Sequence, residues 1–402
     1  MDKIDKIFDS FAEKSLFKDK KVLQSQYTPE TISHRDEQIE AIASILAPAL
    51  RGERGSNLFV YGKTGTGKTL SVQYVCNKLL NKLKESGAGE LKIAYINCKS
   101  KKTSDTEYRI LAELIKELGG SVPATGLPTT DVYSKFVDLV DNENKLVLII
   151  LDEIDWAVKK ISDDFIYTLT RLNSELKKAQ ISIIGISNRL DFLDNLDPRV
   201  RSSLGEEEIL FPPYNALQLQ EILKARAEKA FSEGVLEEGV IAKCAAFAAR
   251  EHGDARRALD LLRVAGEIAE REGCKKIKLE HIDAANDKIE KDKVIAAVES
   301  VPKQFQLVLA AIVELEEKKE KEGKIYTGDV YNCYQEICKK TKNEILTQRR
   351  ISDIIGEFDM LGIINATEIS KGRYGKTREI KLMLSQDIKE RAVEILKKTL
   401  EI

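Results

Sequence analysis

The chain has 402 residues, with 64 basic and 66 acidic side chains and a formal net charge of −2. A length of this order holds two or three domains, and the balanced charge excludes a polyanion-binding surface spread over the whole molecule, so any nucleic-acid surface must be a local patch. No apolar run approaches the ~20 residues of a membrane span, the N-terminus lacks a signal-peptide core, the six cysteines form no C-x-x-C pair, and three histidines are too few for histidine-rich metal chemistry; the expectation is a soluble, cytoplasmic protein with reduced thiols, Cys76 and Cys98 lying in core.

The first apolar run, residues 57–61, reads as a strand. It leads into Gly62-Lys63-Thr64-Gly65-Thr66-Gly67-Lys68-Thr69, and a helical stretch begins at Leu70. This is the full G-x-x-x-x-G-K-[ST] phosphate loop in a strand, turn and helix context. Its glycines let backbone N–H groups close around a phosphate chain, and the helix N-terminus adds favourable partial positive charge. Residues 62–70 are therefore read as cofactor-binding. Lys68 is expected to reach the β and γ phosphates, and the Thr69 hydroxyl to ligate Mg²⁺. A glycine-rich turn without a ligand would not require the complete pattern.

A second strand is expected at Leu91–Asn97. The next run, 146–151, is continuously apolar, as in a central parallel strand covered on both faces, and ends in Asp152-Glu153. Asp152 is placed to hold Mg²⁺ and Glu153 to orient and deprotonate an attacking water; the competing reading is a solvated strand end. Asp155 reads as a surface or helix-capping residue. Residues 181–187 form another buried strand, ending at Asn188. There a side-chain amide can touch the γ-phosphate or its water, although asparagine also serves in caps and turns. Residues 208–211 give a short fifth strand before Pro212-Pro213. Strands alternating with amphipathic helices imply a doubly wound α/β core with its site at the strand ends.

After Tyr214 the pattern is helical over 216–231, 238–252, 255–272 and 279–291, a small bundle that reads as a lid. Within it, Gly253-Asp254-Ala255-Arg256-Arg257 opens a helix with Asp254 as N-cap. Arg256 falls in the first turn, where a cation opposes the helix dipole unless an anion offsets it. It is expected to face the phosphates, with a surface carboxylate as the alternative partner, and Arg257 is read as structural. The pattern changes at Val294, and a helix from Pro302 ends in the charged run 316–322, read as a solvated face.

Residues 347–364 put Ile351, Ile354, Ile355, Phe358 and Leu361 on one helical face. Arg349, Ser352 and Gly356 lie opposite, with Gln348 to one side, the pattern of a helix-turn-helix recognition helix. Strands at 364–370 and 377–382 are joined through Lys371-Gly372-Arg373-Tyr374-Gly375-Lys376, and from Lys371 to Lys381 five basic residues face one acid. A helix-turn-helix followed by a basic hairpin is a winged helix. Arg349, Arg350, Lys371, Arg373, Tyr374, Lys376 and Arg378 are the expected DNA contacts, with Arg373 entering a groove and Tyr374 beside it. Ordinary surface charge and a protein-binding winged domain are the competing readings.

The order phosphate loop, Asp-Glu strand, strand-end Asn and Gly-Asp-x-Arg at a lid helix resembles the AAA+ ATPase class. Pro29-Glu30-Thr31-Ile32-Ser33-His34-Arg35-Asp36-Glu37-Gln38, Leu196-Asp197-Pro198-Arg199-Val200-Arg201-Ser202-Ser203-Leu204-Gly205 and Phe211-Pro212-Pro213-Tyr214 narrow it. They resemble the archaeal homologues of the origin recognition complex and cell division control initiator family, over nearly the whole chain. The resemblance implies an α/β AAA+ P-loop core (14–213), a helical lid (214–292) and a C-terminal winged-helix DNA-binding domain (293–402). It implies an ATP-dependent replication initiator, with ATP/ADP and Mg²⁺ as cofactors, that binds double-stranded origin DNA through winged helix and core. Such a protein promotes loading of the replicative minichromosome maintenance helicase, with a paralogous initiator as a further partner and a nucleoid-associated location. Lys68, Glu153, Asn188 and Arg256 form the catalytic set, and Tyr214 and Arg226 join Arg256 among the cofactor-binding residues.

A DNA-binding regulator with nucleotide as a structural cofactor is the alternative. A clamp-loader-like or mobile-element ATPase is a third, and the basic wing argues against a clamp loader. Where AAA+ proteins often carry a Ser-Arg finger, this chain has Ser202-Ser203, leaving Arg199 and Arg201 both open as replacements; slow hydrolysis with long-lived ADP is expected. The extra helical element of initiator-type members maps to residues 105–118 and 122–128, with a packed helix and loop as the alternative.

Overall fold

The computed structural model describes residues 15–24, 27–87, 89–100, 106–123, 125–319, 323–370, 376–384 and 386–400. Lys371, Arg373, Tyr374 and the side chain of Lys376 lie outside the described residues, as do Asp105, Ala124 and residues 320–322. Two compact units divide the chain, residues 1–282 and 283–402.

The first unit begins with α1 (Asp36–Leu46), β1 (Leu58–Tyr61), α2 (Lys68–Ser86), β2 (Leu91–Asn97), α3 (Glu107–Glu117), α4 (Thr129–Val140) and β3 (Leu146–Asp152). It continues with α5 (Ile154–Lys160), α6 (Asp164–Arg171), β4 (Gln180–Ser187), α7 (Pro198–Leu204) and β5 (Glu207–Leu210). The lid helices are α8 (Ala216–Ala230), α9 (Val240–Arg250) and α10 (Ala255–Arg271). Helix α11 (Leu279–Ser300) follows, running on to Ser300 rather than ending near residue 291.

The five strands form one parallel sheet in the order β2-β3-β4-β1-β5. Strand β3 shows why: Val147, Ile149 and Leu151 belong to the core under α3, α4, α6 and α7, whereas Leu148 and Ile150 face the core under α1 and α2. A strand apolar on both faces is stable only with helices on both faces. Truncating one such residue, for example Ile149→Ala, removes roughly 2–5 kcal/mol. The sheet sets the site. Asp152 pairs in register with Asn97 and Ile186, and Tyr61 with Ser187, so the ends of β1, β2, β3 and β4 open into one crevice.

Between β2 and β3 the sequence suggests one helix and a loop. The structure has two helices there: α3 buries Ile110, Leu111, Leu114 and Ile115, and α4 buries Val132, Phe136 and Val140. The short helices α5 and α6 were equally unanticipated; seven and eight residues give too few turns to display a period.

The second unit contains α12 (Lys303–Lys319), β6 (Ile325–Tyr326), α13 (Thr327–Lys340), α14 (Gln348–Met360), β7 (Ile364–Ser370), β8 (Lys376–Leu382) and α15 (Gln386–Leu400). Strands β7 and β8 form an antiparallel hairpin, β6 adds to the far edge of β8, and the helices bury Ile351, Ile354, Ile355 and Phe358 of α14 in their core. Leu361, expected on that buried face, is instead 51% exposed. Helix α14 stops at Met360, the chain reverses at Gly362 with φ of +71°, and Ile363 fills the core in its place.

Candidate functional site

Strand β1 carries the glycine loop to the N-terminus of α2, and Lys68 is the first residue of that helix. Its ammonium donates to the carbonyls of Gly62 and Lys63, both at 2.7 Å, and to Asn188 Oδ1 at 2.9 Å. Thr66 Oγ1 donates to the same Lys63 carbonyl at 2.8 Å, so the loop is wrapped around its own lysine. Burial pushes the Lys68 pKa down to about 8, against the pull of Asp152 and with the help of Arg256. A cation held out of water in this way attracts an anion more strongly than one exposed to solvent.

The Thr69 hydroxyl donates to Asp152 Oδ2 at 2.8 Å. The same oxygen accepts from the Tyr95 hydroxyl at 2.8 Å, and Asp152 Oδ1 accepts the Glu153 N–H at 2.9 Å. Tyr95 was not foreseen; it lies on β2 beside the carboxylate strand, and its pKa is raised by burial and by the Asp152 charge. Threonine hydroxyl and carboxylate are hard oxygen donors of the kind that hold Mg²⁺ together with phosphate oxygens. Glu153 is half-buried with φ of +53°, a left-handed conformation rare for a side chain larger than glycine, and its carboxylate lies 3.5 Å from Lys99 Nζ. Asp155, partly buried in the first turn of α5, is not the helix cap: it accepts from the Ser187 hydroxyl at 2.9 Å, tying α5 to the end of β4.

From the lid, Asp254 caps α10 by accepting from the backbone N–H of Arg256 at 2.8 Å and Arg257 at 3.3 Å. The Ala255 N–H donates to the Gly65 carbonyl at 3.2 Å, which brings the start of α10 against the phosphate loop. A Cβ on Gly65 would overlap the Asp254 carboxylate, and Gly65 has φ of +73°; close approach and backbone conformation both require glycine there. Arg256 stands at the cleft with Asn188, whereas Arg257 turns away to a two-point pair with Glu251.

These groups line one cleft of about 540 Å³, together with Gly65, Gly67, Leu70 and Tyr214, a volume typical of a small-molecule site. Gly62, Lys63, Thr64 and Thr66 do not line it. Lys63 Nζ meets His252 Nδ1 at 3.3 Å, Thr64 is exposed, and Thr66 is fully buried. Arg226 is at the cleft, but its guanidinium donates to the carbonyls of Val22 at 3.0 Å and Tyr27 at 3.5 Å. Arg35, unassigned from the sequence, is 2% exposed; it donates to the carbonyls of Thr66 at 2.8 Å and Pro212 at 2.6 Å, and its guanidinium stacks 3.7 Å from the Tyr214 ring centre. Arg199 and Arg201 pair with Asp197 and Asp194, both exposed.

In the second unit, Gln348, Arg349 and Arg350 are exposed at the N-terminal end of α14, whose N-cap Thr347 accepts from Arg350 N–H. Arg350 reaches back 3.9 Å from Glu357 and over the Phe305 ring. Arg378 is not a free wing cation: it donates to the Ser352 carbonyl and lies 3.7 Å from Glu368, its cross-strand partner.

Three family models match: an AAA domain over residues 51–193, the Cdc6 AAA+ ATPase-type lid domain over 220–287, and the CDC6 C-terminal winged helix domain over 296–392. The ORC1-type DNA replication protein of Pyrococcus abyssi is 53% identical over 384 residues, 94% of this chain and 90% of that protein. The structure of the Aeropyrum pernix ORC1 protein in complex with DNA is 43% identical, with a TM-score of 0.85 over 96% of this chain and 98% of that one. The Aeropyrum pernix ORC2 protein, solved in ADPNP-ADP complexes, shares the fold at 22% identity, with a TM-score of 0.60 over 96% of this chain and 100% of that one. The three family models and a relative 53% identical over 94% of the chain lead to one conclusion: the chain belongs to the ORC1-type DNA replication proteins, with an AAA+ nucleotide-binding core, a Cdc6-type lid and a C-terminal winged helix.

Proposed function

We propose that this protein is an ATP-hydrolysing replication initiator that binds double-stranded origin DNA and promotes loading of the replicative minichromosome maintenance helicase, alone or with a paralogous initiator, at the nucleoid. The observation that carries the nucleotide chemistry is the 2.8 Å contact between Thr69 Oγ1 and Asp152 Oδ2 beneath the Lys68 ammonium. It brings a hydroxyl, a carboxylate and a cation to one point, the donor set for a phosphate chain with its Mg²⁺. In this reading Lys68 and Arg256 bind the β and γ phosphates, and Thr69 and Asp152 hold Mg²⁺. When bound, the ion would neutralise charge on the phosphate oxygens. Glu153 takes the proton of the attacking water, and Asn188, held by Lys68, orients that water at the end of β4. Tyr95 keeps the Asp152 carboxylate in place.

For DNA, the exposed N-terminal turn of α14 with Arg349 and Arg350 supplies the groove-reading face. The wing adds phosphate contacts, and the helices between β2 and β3 offer a second contact from the core. The DNA complex of the Aeropyrum relative supports the same partner here. Among the described residues no helix is long and apolar enough to cross a membrane.

The test is Glu153→Gln. ATP binding should persist, hydrolysis should stop, and engagement of origin DNA or of the helicase should change between ATP and ADP. If the variant binds DNA and helicase as the wild type does in every nucleotide state, nucleotide is a structural cofactor and the switch reading fails.

A further inference from the structure

The turn between α13 and α14 is a second basic stretch of the winged helix. Residues 339–350 hold five cations, Lys339, Lys340, Lys342, Arg349 and Arg350, against one acid, Glu344. The three lysines are exposed, and among the described residues none of them pairs with a carboxylate. Lys339 and Lys340 suit the last turn of α13, where a cation meets the helix dipole. Lys342 stands beyond the helix, at a place that costs it. Helix α13 closes in a Schellman turn, in which the Asn343 N–H donates to the Cys338 carbonyl at 3.0 Å. Between the cap Thr341 and Asn343 lies Lys342, with φ of +53°. Glycine is the residue favoured there. A lysine adds backbone strain and the repulsion of its two neighbours.

The turn is also held still. Tyr334, fully buried, donates its hydroxyl to Gln304 Oε1 at 2.6 Å and accepts from the Leu346 N–H at 3.0 Å. Gln304 Nε2 donates to the Glu344 carbonyl at 2.9 Å, and Asn343 Nδ2 to Thr341 Oγ1 at 2.7 Å. The next residue of α12, Phe305, meets Phe358 of α14 edge-on at 5.9 Å and lies under the Arg350 guanidinium. Turn and recognition helix are thus fixed to one end of α12, so whatever Lys342 grips is held at a set offset from Arg349.

We propose that Lys342, with Lys339 and Lys340 beside it, contacts the phosphate backbone of duplex DNA at a place separate from the base-reading turn of α14 and from the wing. The inference rests on the DNA reading above. Phosphates supply the counter-charge that the three lysines lack, and the contact fixes the register of the recognition helix without reading sequence itself. A strained lysine where glycine would serve the fold better is then retained for its ammonium.

The full chain is used for the test, as wild type, Lys342→Gln and Lys342→Gly, on two duplexes of equal length and unrelated sequence. Both variants are expected to bind both duplexes about fivefold more weakly at about 0.15 M salt, with a slope of log K against log[salt] shallower by about 0.9. Lys342→Gly should nevertheless unfold at a higher denaturant concentration than Lys342→Gln, which separates a lost contact from lost folding. Wild-type affinity and slope in both variants would overturn the proposal. A loss confined to one duplex would mark a base contact and overturn it as well. So would unchanged DNA binding with weakened engagement of the helicase, which would make the turn a protein dock. Wild-type protein that binds neither duplex would refute the DNA reading beneath it.

Discussion

The guanidinium Nη1 of Arg378, in the second wing strand, donates to the backbone carbonyl of Ser352 in the middle of α14 at 3.1 Å. It lies across Gly356, where an added Cβ would sit 3.3 Å from the same nitrogen. Arg378 thus ties the second wing strand to α14, passing over the helix at its one glycine, as Asp359 ties the helix to the first wing strand by accepting from the Ala366 N–H at 2.9 Å.

Arg378→Ala should therefore act on the geometry of the DNA-binding surface more than on its charge. A charge-assisted hydrogen bond of this kind, partly exposed to solvent, contributes roughly 1 kcal/mol to the stability of its unit. DNA affinity is expected to fall while the slope of log K against log[salt] stays as in the wild type. A slope lowered by about 0.9 would mean that Arg378 neutralises a phosphate directly.

Arg349→Ala provides the contrast. Arg349 is exposed one residue into α14, where first-turn side chains reach base edges. If it reads a base, the variant loses about 1–3 kcal/mol on the cognate site and much less on unrelated DNA, narrowing the specificity ratio. Equal loss on both sequences, with a salt slope lower by about 0.9, would make it a backbone contact instead. Binding isotherms on the two DNAs at three salt concentrations separate these outcomes.

Glu153 is held with φ of +53° as the chain turns from β3 into α5, and its N–H is tied to Asp152. A side chain in this region costs about 1 kcal/mol or more relative to glycine. Glu153→Gly should accordingly be more stable than Glu153→Ala by about 1 kcal/mol in denaturant unfolding, and both should lack ATP hydrolysis. Strain retained at the proposed general base is the pattern expected where function and stability compete. If Glu153→Gly is no more stable than Glu153→Ala, the left-handed turn is not a source of strain.

The parts of this molecule legible in the sequence are those written in local pattern. Continuous apolar runs mark β3 and β4 because both faces are covered, and the phosphate loop is contiguous, so its strand and helix frame it unambiguously. Asp254 as a cap and Arg257 as a structural cation follow from helix-end chemistry. What escaped are contacts between distant segments. Arg35 lies 177 residues from Pro212, and Arg226 lies 204 from Val22; nothing local tells a buried arginine bonded to carbonyls from an exposed one. The bond of Asp155 was invisible because its partner Ser187 stands 32 residues away at the end of β4. Leu361 kept the helical period by one turn too many, since the chain stops being helical at Met360 while the apolar spacing runs on.

The last prediction concerns pH. Burial sets the Lys68 pKa at about 8, below the ordinary value of about 10.4. Between these two values the unfolded chain holds a proton that the folded, nucleotide-free protein has lost, so this group's contribution to stability rises with pH across that window. Nucleotide affinity must move the other way. Phosphates favour the ammonium, which is already formed below about pH 8; above it, each binding event must also take up a proton. The ATP dissociation constant is therefore expected to be about tenfold larger at roughly pH 9 than at pH 7, with the phosphates themselves mostly ionised already at the lower pH. Calorimetric titration in buffers of different ionisation enthalpy would detect the uptake directly. Lys68→Met should bind weakly, without the steep rise and without proton uptake. A wild-type affinity that stays flat to that pH would mean that Lys68 remains charged, and that its three carbonyl-type acceptors offset its burial more fully than the geometry implies.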